Sequence, residues 1–316
     1  MTIKVTACVC TYDRYDLLPS AIESLTRQTS SHEKFEIVIV DNSPDLPKSE
    51  RHSLPFQNIP NLVWLHSPVS GLSNARNVGL KHSSGDVIAF MDDDAMASPA
   101  WIESIIEAFD TFGETVVGVG GPVEPIWSLP RPEWLHDDLL GFVSVVDWGG
   151  LVPRKLGEKE WVAGTNIAFR VPPLRAIGGF STALGRNKGG QALLSNEEID
   201  VAEKLKFDGG SIVYAPRMTV RHLVEPKRLT QEWFRRRVAW QANSDYLKDP
   251  STSFSKAATY WGGVEDYFIR IPPAHRNPRG FFVDQEDPEL FKFQLSAIYN
   301  FTICVLAGFH GISVEG

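Results

Sequence analysis

Four apolar runs punctuate the first 120 residues: Val5–Cys10, Phe35–Val40, Val87–Phe90 and Val116–Gly120, with helical or turn-forming sequence between them. Strands that are apolar throughout need cover on both faces, and intervening helices supply it. The alternation therefore predicts a mostly parallel sheet sandwiched by helices. The intervening segments agree. Leu17–Gln28 sets Leu17, Leu18, Ile22 and Leu25 on one helical stripe. A short strand is expected at Leu62–Leu65, and Gly71-Leu72-Ser73-Asn74 leads into a helix from Ala75 to about His82. Ser98-Pro99 reads as an N-cap and first-turn proline for a helix to about Phe112. In such sheets functional side chains gather beyond the carboxyl ends of the strands, near the point where strand order reverses. Thr11-Tyr12, Asp41-Asn42 and Asp92-Asp93-Asp94 all occupy such ends.

The aspartate triplet carries the sharpest chemical signal. Hard oxygen ligands at a sheet rim can hold Mg²⁺ or Mn²⁺ through one or two carboxylates while a substrate diphosphate supplies the rest. Strand alternation would point Asp92 and Asp94 one way and Asp93 the other. By itself the triplet reads more readily as a solvated turn whose aspartates bind nothing. A net charge of −8 argues against a nucleic-acid partner, which needs a basic footprint. Three cysteines cannot pair completely; Cys8 and Cys10 share a strand face and read as reduced core thiols of a cytoplasmic protein. No run of 18 apolar residues marks a membrane span, and Leu295–Phe309 reads as a buried helix, with surface attachment to a membrane left open.

Beyond residue 120 the pattern changes. Residues 121–161 are rich in proline and tryptophan and read as an irregular insertion with short antiparallel pieces. Trp161–Phe169 is an expected strand carrying Gly164-Thr165-Asn166, and Gly178–Gly190, with Arg186 and Lys188, an expected mobile loop. Asn196 is placed to cap a helix from Glu197 to Phe207, strands follow at Ser211–Tyr214 and Thr219–His222, and Thr230 opens a helix to about Leu247. Arg235, Arg236 and Arg237 on that helix read as a solvated basic face. After Pro250 no clear organisation is legible.

Several ordered motifs together resemble the inverting family-2 glycosyltransferases, enzymes of the GT-A fold that use nucleotide-sugar donors. They are Val9-Cys10-Thr11-Tyr12-Asp13-Arg14, Val40-Asp41-Asn42-Ser43, Gly71-Leu72-Ser73-Asn74-Ala75-Arg76-Asn77-Val78-Gly79, Asp92–Asp94, Gly164-Thr165-Asn166, Gly178-Gly179-Phe180, Leu184-Gly185-Arg186 and Asn196-Glu197-Glu198-Ile199-Asp200. His222 and Arg228 complete the series. The resemblance covers about residues 3–245. It implies a nucleotide-sugar-binding half at 1–120, an acceptor-side half of the same domain at 121–225, and a C-terminal helical extension at 226–316. It further implies a UDP-sugar donor, Mn²⁺ or Mg²⁺, and a saccharide or lipid-linked acceptor of the exopolysaccharide or surface-glycan kind.

The resemblance also assigns roles. Thr11, Tyr12 and Asp41 would hold the base and ribose, with Arg14, Asn42, Gly71, Asn74, Arg76, Asp92 and Asp93 around the donor. Asp94, Asp92 and His222 would hold the metal, although a structural histidine is an equal reading of His222. Inversion needs a carboxylate to take the acceptor's proton. Glu198 stands at the family's base position, with glutamate where aspartate is common, and Glu197 is the alternate. The helix at Thr230 departs from the Q-x-x-R-W motif of processive synthases, which points to one transfer per encounter. A nucleotidyltransferase is disfavoured because the turn after Cys10 lacks the glycines of a triphosphate loop. A metal phosphatase lacks its threonine at Met96. A catalytically silent nucleotide-sugar-binding protein remains the rival from another class, opposed by the presence of both acidic clusters.

Overall fold

A computed structural model describes residues 4–44, 56, 59–186 and 192–308. The chain forms two compact units: residues 1–126, 144–191 and 197–223, and residues 127–143, 192–196 and 224–316.

The first unit is built on an eight-stranded sheet of order β3-β2-β1-β4-β9-β6-β10-β8. Its strands are β1 (Val5–Thr11), β2 (Phe35–Asp41), β3 (Leu62–His66), β4 (Val87–Asp92), β6 (Val116–Gly120), β8 (Arg154–Lys155), β9 (Ile167–Arg170) and β10 (Ser211–Tyr214). β1, β2, β3 and β4 run parallel, while β9 enters antiparallel between β4 and β6. Alternation along the strands divides the core in two. Val5, Ala7 and Val9 face helices α1 (Leu18–Thr26) and α3 (Trp101–Phe112) with Ile22, Trp101 and Ile105. Cys8, Val38 and Phe90 face the opposite layer, with Ala75 and Leu80 of α2 (Leu72–His82), Leu174 of α4 (Val171–Ala176), and Val201 and Leu205 of α5 (Glu197–Phe207). The apolar runs are thus covered on both sides, and the sandwich expected from the alternation is the one observed. The cysteines are free thiols, Cys8 buried in this second layer.

A second sheet of three strands, β5 (Ala95–Ala97), β11 (Val220–Val224) and β7 (Val123–Trp127), adjoins the carboxyl end of β4 in sequence. The insertion does hold short antiparallel pieces: Val123 bridges Val146, and β8 pairs antiparallel with β10.

Several local expectations are corrected. α2 starts at Leu72, three residues before Ala75, because Gly71 turns the chain with φ 131°, a conformation that suits glycine. α3 starts at Trp101, with Ser98 accepting the Trp101 N–H through its carbonyl instead of capping with its hydroxyl. The Trp161–Phe169 strand shrinks to Ile167–Arg170, since residues 163–166 turn and the Asn166 N–H closes on Ala163 O. The 178–186 segment is tethered: Asn77 exchanges two hydrogen bonds with the Phe180 backbone, Ser73 Oγ donates to Leu184 O, and Leu72 N–H donates to Arg186 O. Lys188 lies outside the described residues.

In the second unit, α6 (Gln231–Lys248) is capped by Thr230, whose Oγ1 accepts from Trp233 N–H at 3.2 Å. Of the three consecutive arginines only Arg236 is exposed; Arg235 pairs with Asp284 at 2.8 Å, and Arg237 donates to Gln241 and lies over the Phe142 ring. The basic face fails because residues three and four apart share a helical face, and here Gln231, Arg235 and Val238 point inward. The sequence after Pro250 is helical: α7 (Pro250–Ser255), α8 (Ala257–Arg270) and α9 (Pro288–Leu306). α9 buries Phe291, Leu295, Ile303 and Cys304, and no helix among the described residues is long and apolar enough to cross a membrane. Asn196 has φ 74°, and its side chain is committed elsewhere than to a helix cap. Asp245 Oδ1 accepts from Asn196 Nδ2 at 2.6 Å and Gln241 Nε2 at 2.9 Å, and Oδ2 from Tyr299 at 2.8 Å. Removing that acceptor strands three donors, so Asp245→Ala should cost about 2 kcal/mol. Urea unfolding should show a lower midpoint at unchanged slope.

Candidate active site

β1 connects outward to β2 on one side, while β4 lies on its other side, so strand order reverses between β1 and β4. The register aligns Thr11 with Asp41 and Cys10 with Asp92, so three of the expected ligand-bearing ends converge at that point. β4 ends at Asp92, and Asp93-Asp94 form a tight turn into β5. The turn, and not strand alternation, therefore separates the three side chains. Asp93 accepts from Thr11 Oγ1 at 2.8 Å, and Arg14 reaches both Asp93 at 3.3 Å and Asp94 at 2.9 Å. Burial pushes the Asp93 carboxyl up to about 7; Arg14 opposes this, Asp94 reinforces it, and the Thr11 hydrogen bond opposes it again.

β5 pairs antiparallel with β11, placing His222 opposite Ala95, and Leu223 N–H donates to Asp94 O at 3.0 Å. This register delivers the imidazole to Asp94, with Nε2 at 3.3 Å from Oδ1. One ligand atom from each of Asp92, Asp94 and His222 lies within 4.8 Å of the others. His222 is 1 % exposed and its Nδ1 has no hydrogen-bond partner among the described residues. One imidazole and two carboxylates within reach of a single point form a nitrogen and oxygen donor set that fits a divalent ion of the Mn²⁺ type.

Other expected donor-site residues are held by the protein itself. Asp41 is fully buried, accepting from Tyr15 OH at 3.0 Å and from Ser43 N–H at 3.0 Å. Asn42 Nδ2 donates to Ser67 O and Val69 O, and its Oδ1 accepts from Gly71 N–H at 2.7 Å, so Asn42 shapes the turn that starts α2. Asn74 donates to Ser70 O. Tyr12 is half-buried at the end of β1. Tyr15, which orients Asp41, was not anticipated; it sits in a turn, where no periodicity marks it. Asn166, expected on the acceptor side, is wholly buried, accepting from Trp101 Nε1 and donating to Pro122 O and Met218 O.

The second acidic cluster opens α5. Glu197 is buried and pairs with Arg76 at 2.8 Å, while Glu198 is half-buried beside it. Arg76 also approaches Asp92 Oδ1 at 3.8 Å. The two acidic groups, about a hundred residues apart in sequence, are thereby joined through one guanidinium. Carboxylates that can hold a cation, and a second carboxylate at a helix N-terminus nearby, suit displacement of an anionic leaving group by a deprotonated nucleophile.

Residues 6–144 match the family described as Glycosyl transferase family 2. The chain is 29 % identical over 320 aligned residues to the glucosyl-dolichyl phosphate glucuronosyltransferase of Haloferax volcanii, covering 97 % of this chain and 95 % of that protein. It is 26 % identical to the succinoglycan biosynthesis protein ExoM of Rhizobium meliloti, over 75 % of this chain and 72 % of the relative. Among solved structures, a mannosyltransferase from Pyrobaculum calidifontis in complex with GDP-Man and Mn²⁺ superposes with a TM-score of 0.55 at 18 % identity, over 99 % of this chain and 77 % of its own. GalNAc-T7 with UDP, GalNAc and Mn²⁺ gives 0.56 at 13 % identity, over 93 % and 54 %. The strand-end acids, the sheet that carries them and these relatives agree: residues 6–144 form a glycosyl transferase family 2 domain, and the chain shares the GT-A fold of these structures.

Proposed function

We propose that this enzyme transfers a hexose or N-acetylhexosamine from a UDP-sugar to a saccharide or lipid-linked acceptor, with inversion at the anomeric carbon. The observation that carries the reading is the grouping of Asp92, Asp94 and His222, joined through Arg76 to the helix that bears Glu198. In this reading Asp94, Asp92 and His222 hold Mn²⁺ or Mg²⁺. The bound cation would neutralise charge that gathers on the departing diphosphate. Thr11, Tyr12 and Asp41 would hold the base and ribose, and Arg14, tied to Asp93 and Asp94, keeps the acidic turn folded. Residues 1–120 serve the donor, and 121–225 the acceptor.

Glu198 takes the acceptor hydroxyl's proton as that oxygen attacks the anomeric carbon. The new carbon–oxygen bond forms opposite the breaking bond to the diphosphate, which leaves with the bonding pair. The Haloferax volcanii relative is named for a dolichyl-phosphate-linked substrate and the Rhizobium meliloti one for succinoglycan, which supports a lipid-linked or glycan acceptor.

Thermal shift with UDP-, GDP- and dTDP-sugars, with and without Mn²⁺, tests the donor assignment, since a ligand that binds only the folded state raises its midpoint. UDP-sugars should stabilise most, and only with metal. Asp94→Ala should weaken Mn²⁺-dependent UDP binding at least tenfold in titration calorimetry, because a buried ligand is removed and Asp92 and His222 alone hold the ion poorly. Unchanged affinity in that variant, or equal stabilisation by UDP without metal, would remove the metal role.

A further inference from the structure

The guanidinium of Arg76 is 2 % exposed and its surroundings are complete. Nη1 reaches Glu197 Oε1 at 2.8 Å, and Nη2 donates to Gly164 O at 3.1 Å and approaches Asp92 Oδ1 at 3.8 Å. The rings of Phe90 and Phe180 lie 5.7 and 5.4 Å from its central carbon. Gly164 is close-packed against it: a Cβ there would fall 2.8 Å from Nη2. A cation enclosed in this way presents no face to a diphosphate.

Glu197 and Glu198 are consecutive residues in the first turn of α5, about 100° apart around its axis. Anchoring Glu197 therefore fixes the rotation of that turn and with it the direction in which Glu198 projects. The anchor is strong because the pair is dry. Both side chains of the Arg76–Glu197 pair are almost wholly excluded from solvent, at 3 % and 6 % exposure, so breaking it would leave a buried charge without its partner. Only arginine can meet Glu197, the Gly164 carbonyl and Asp92 at once; an ammonium is a single point charge.

We propose that Arg76 is a positioning residue: it acts through Glu197 to aim Glu198 at the acceptor, and it does not bind the donor. This rests on Glu198 being the base. Glu197 thereby leaves the list of proton acceptors and becomes the second half of the aiming device.

Arg76→Lys, Glu197→Gln and the double variant test it in the full-length protein, using Mn²⁺-dependent hydrolysis of UDP-glucose, with water in the acceptor's place, and calorimetric binding of UDP with Mn²⁺. Each single change should lower kcat about 100-fold, the usual cost of misplacing a catalytic group by about an ångström. KM and the UDP dissociation constant should stay within about twofold. The double variant should lose the same factor of about 100, not about 10⁴, since both changes break one device. A tenfold weaker UDP affinity in Arg76→Lys, with Glu197→Gln unaffected, would make Arg76 a donor ligand and overturn the proposal, as would multiplicative losses. Circular dichroism checks folding. If Arg76→Lys does not fold, Glu197→Ala removes the anchor from the other side, and wild-type kcat in that variant would equally end the proposal. Failure of the base assignment is seen separately, as retained turnover in Glu198→Gln.

Discussion

Glu198→Gln should reduce UDP-glucose hydrolysis by about 10²–10⁴-fold, the range that a positioned general base contributes. The amide preserves size and shape but cannot accept a proton at neutral pH, and it sits at the start of α5, away from the metal-bearing turn in sequence. UDP affinity in the presence of Mn²⁺ should therefore remain within about twofold of wild type. Asp94→Ala should show the converse, with binding lost first. The two variants thus separate proton transfer from donor capture in one pair of measurements. Equal loss of donor binding in both would contradict the division of labour, and full turnover in Glu198→Gln would pass the base role to another group. An inactive wild-type protein that still bound UDP with Mn²⁺ would favour the silent binder.

Gly121→Ala should be the most damaging single methyl group in the first unit. A Cβ at this position would enter hard contact with the Met218 carbonyl oxygen and come within 2.8 Å of the Ala215 carbonyl oxygen. Both neighbours are backbone, so neither can swing aside as a side chain would. The same segment is fixed from its other side, because Asn166 Nδ2 donates to Met218 O and Val220 N–H donates to Pro122 O. Overpacking of this kind costs about 1–3 kcal/mol and more where backbone must move, so a loss of about 3 kcal/mol is expected in urea unfolding. The displaced segment leads directly into β11 and His222. Mn²⁺ affinity should therefore fall along with stability, whereas Gly113→Ala, with open space around its Cβ, should leave the metal site unchanged. A Gly121→Ala protein of wild-type stability and Mn²⁺ affinity would show that this backbone is softer than its packing indicates.

The sequence by itself determined the parts governed by period and by local chemistry. Runs such as Val5–Cys10 and Phe35–Val40 fix a two-faced sheet, since apolar residues on both alternating faces leave no solvent side. The strand-end positions of Thr11, Asp41 and Asp92 follow from that sheet, and Thr230 announced the start of its helix because a cap acts within three residues. Tertiary structure decided everything that depends on distant partners. His222 meets Asp94 only through the pairing of β11 with β5, and Asp93 and Asp94 are aimed by the turn that follows the strand's end at Asp92. The family resemblance sets Arg76 near the donor, while its partners in the fold, Gly164 and Glu197, lie 88 and 121 residues away in sequence. Arg235 and Arg237 carry charge that composition assigns to solvent, and only the folded helix supplies Asp284, Gln241 and the Phe142 ring that let them be buried. A side chain's identity sets what it can bond to, but burial and pairing are properties of its neighbours, and those are chosen by the fold.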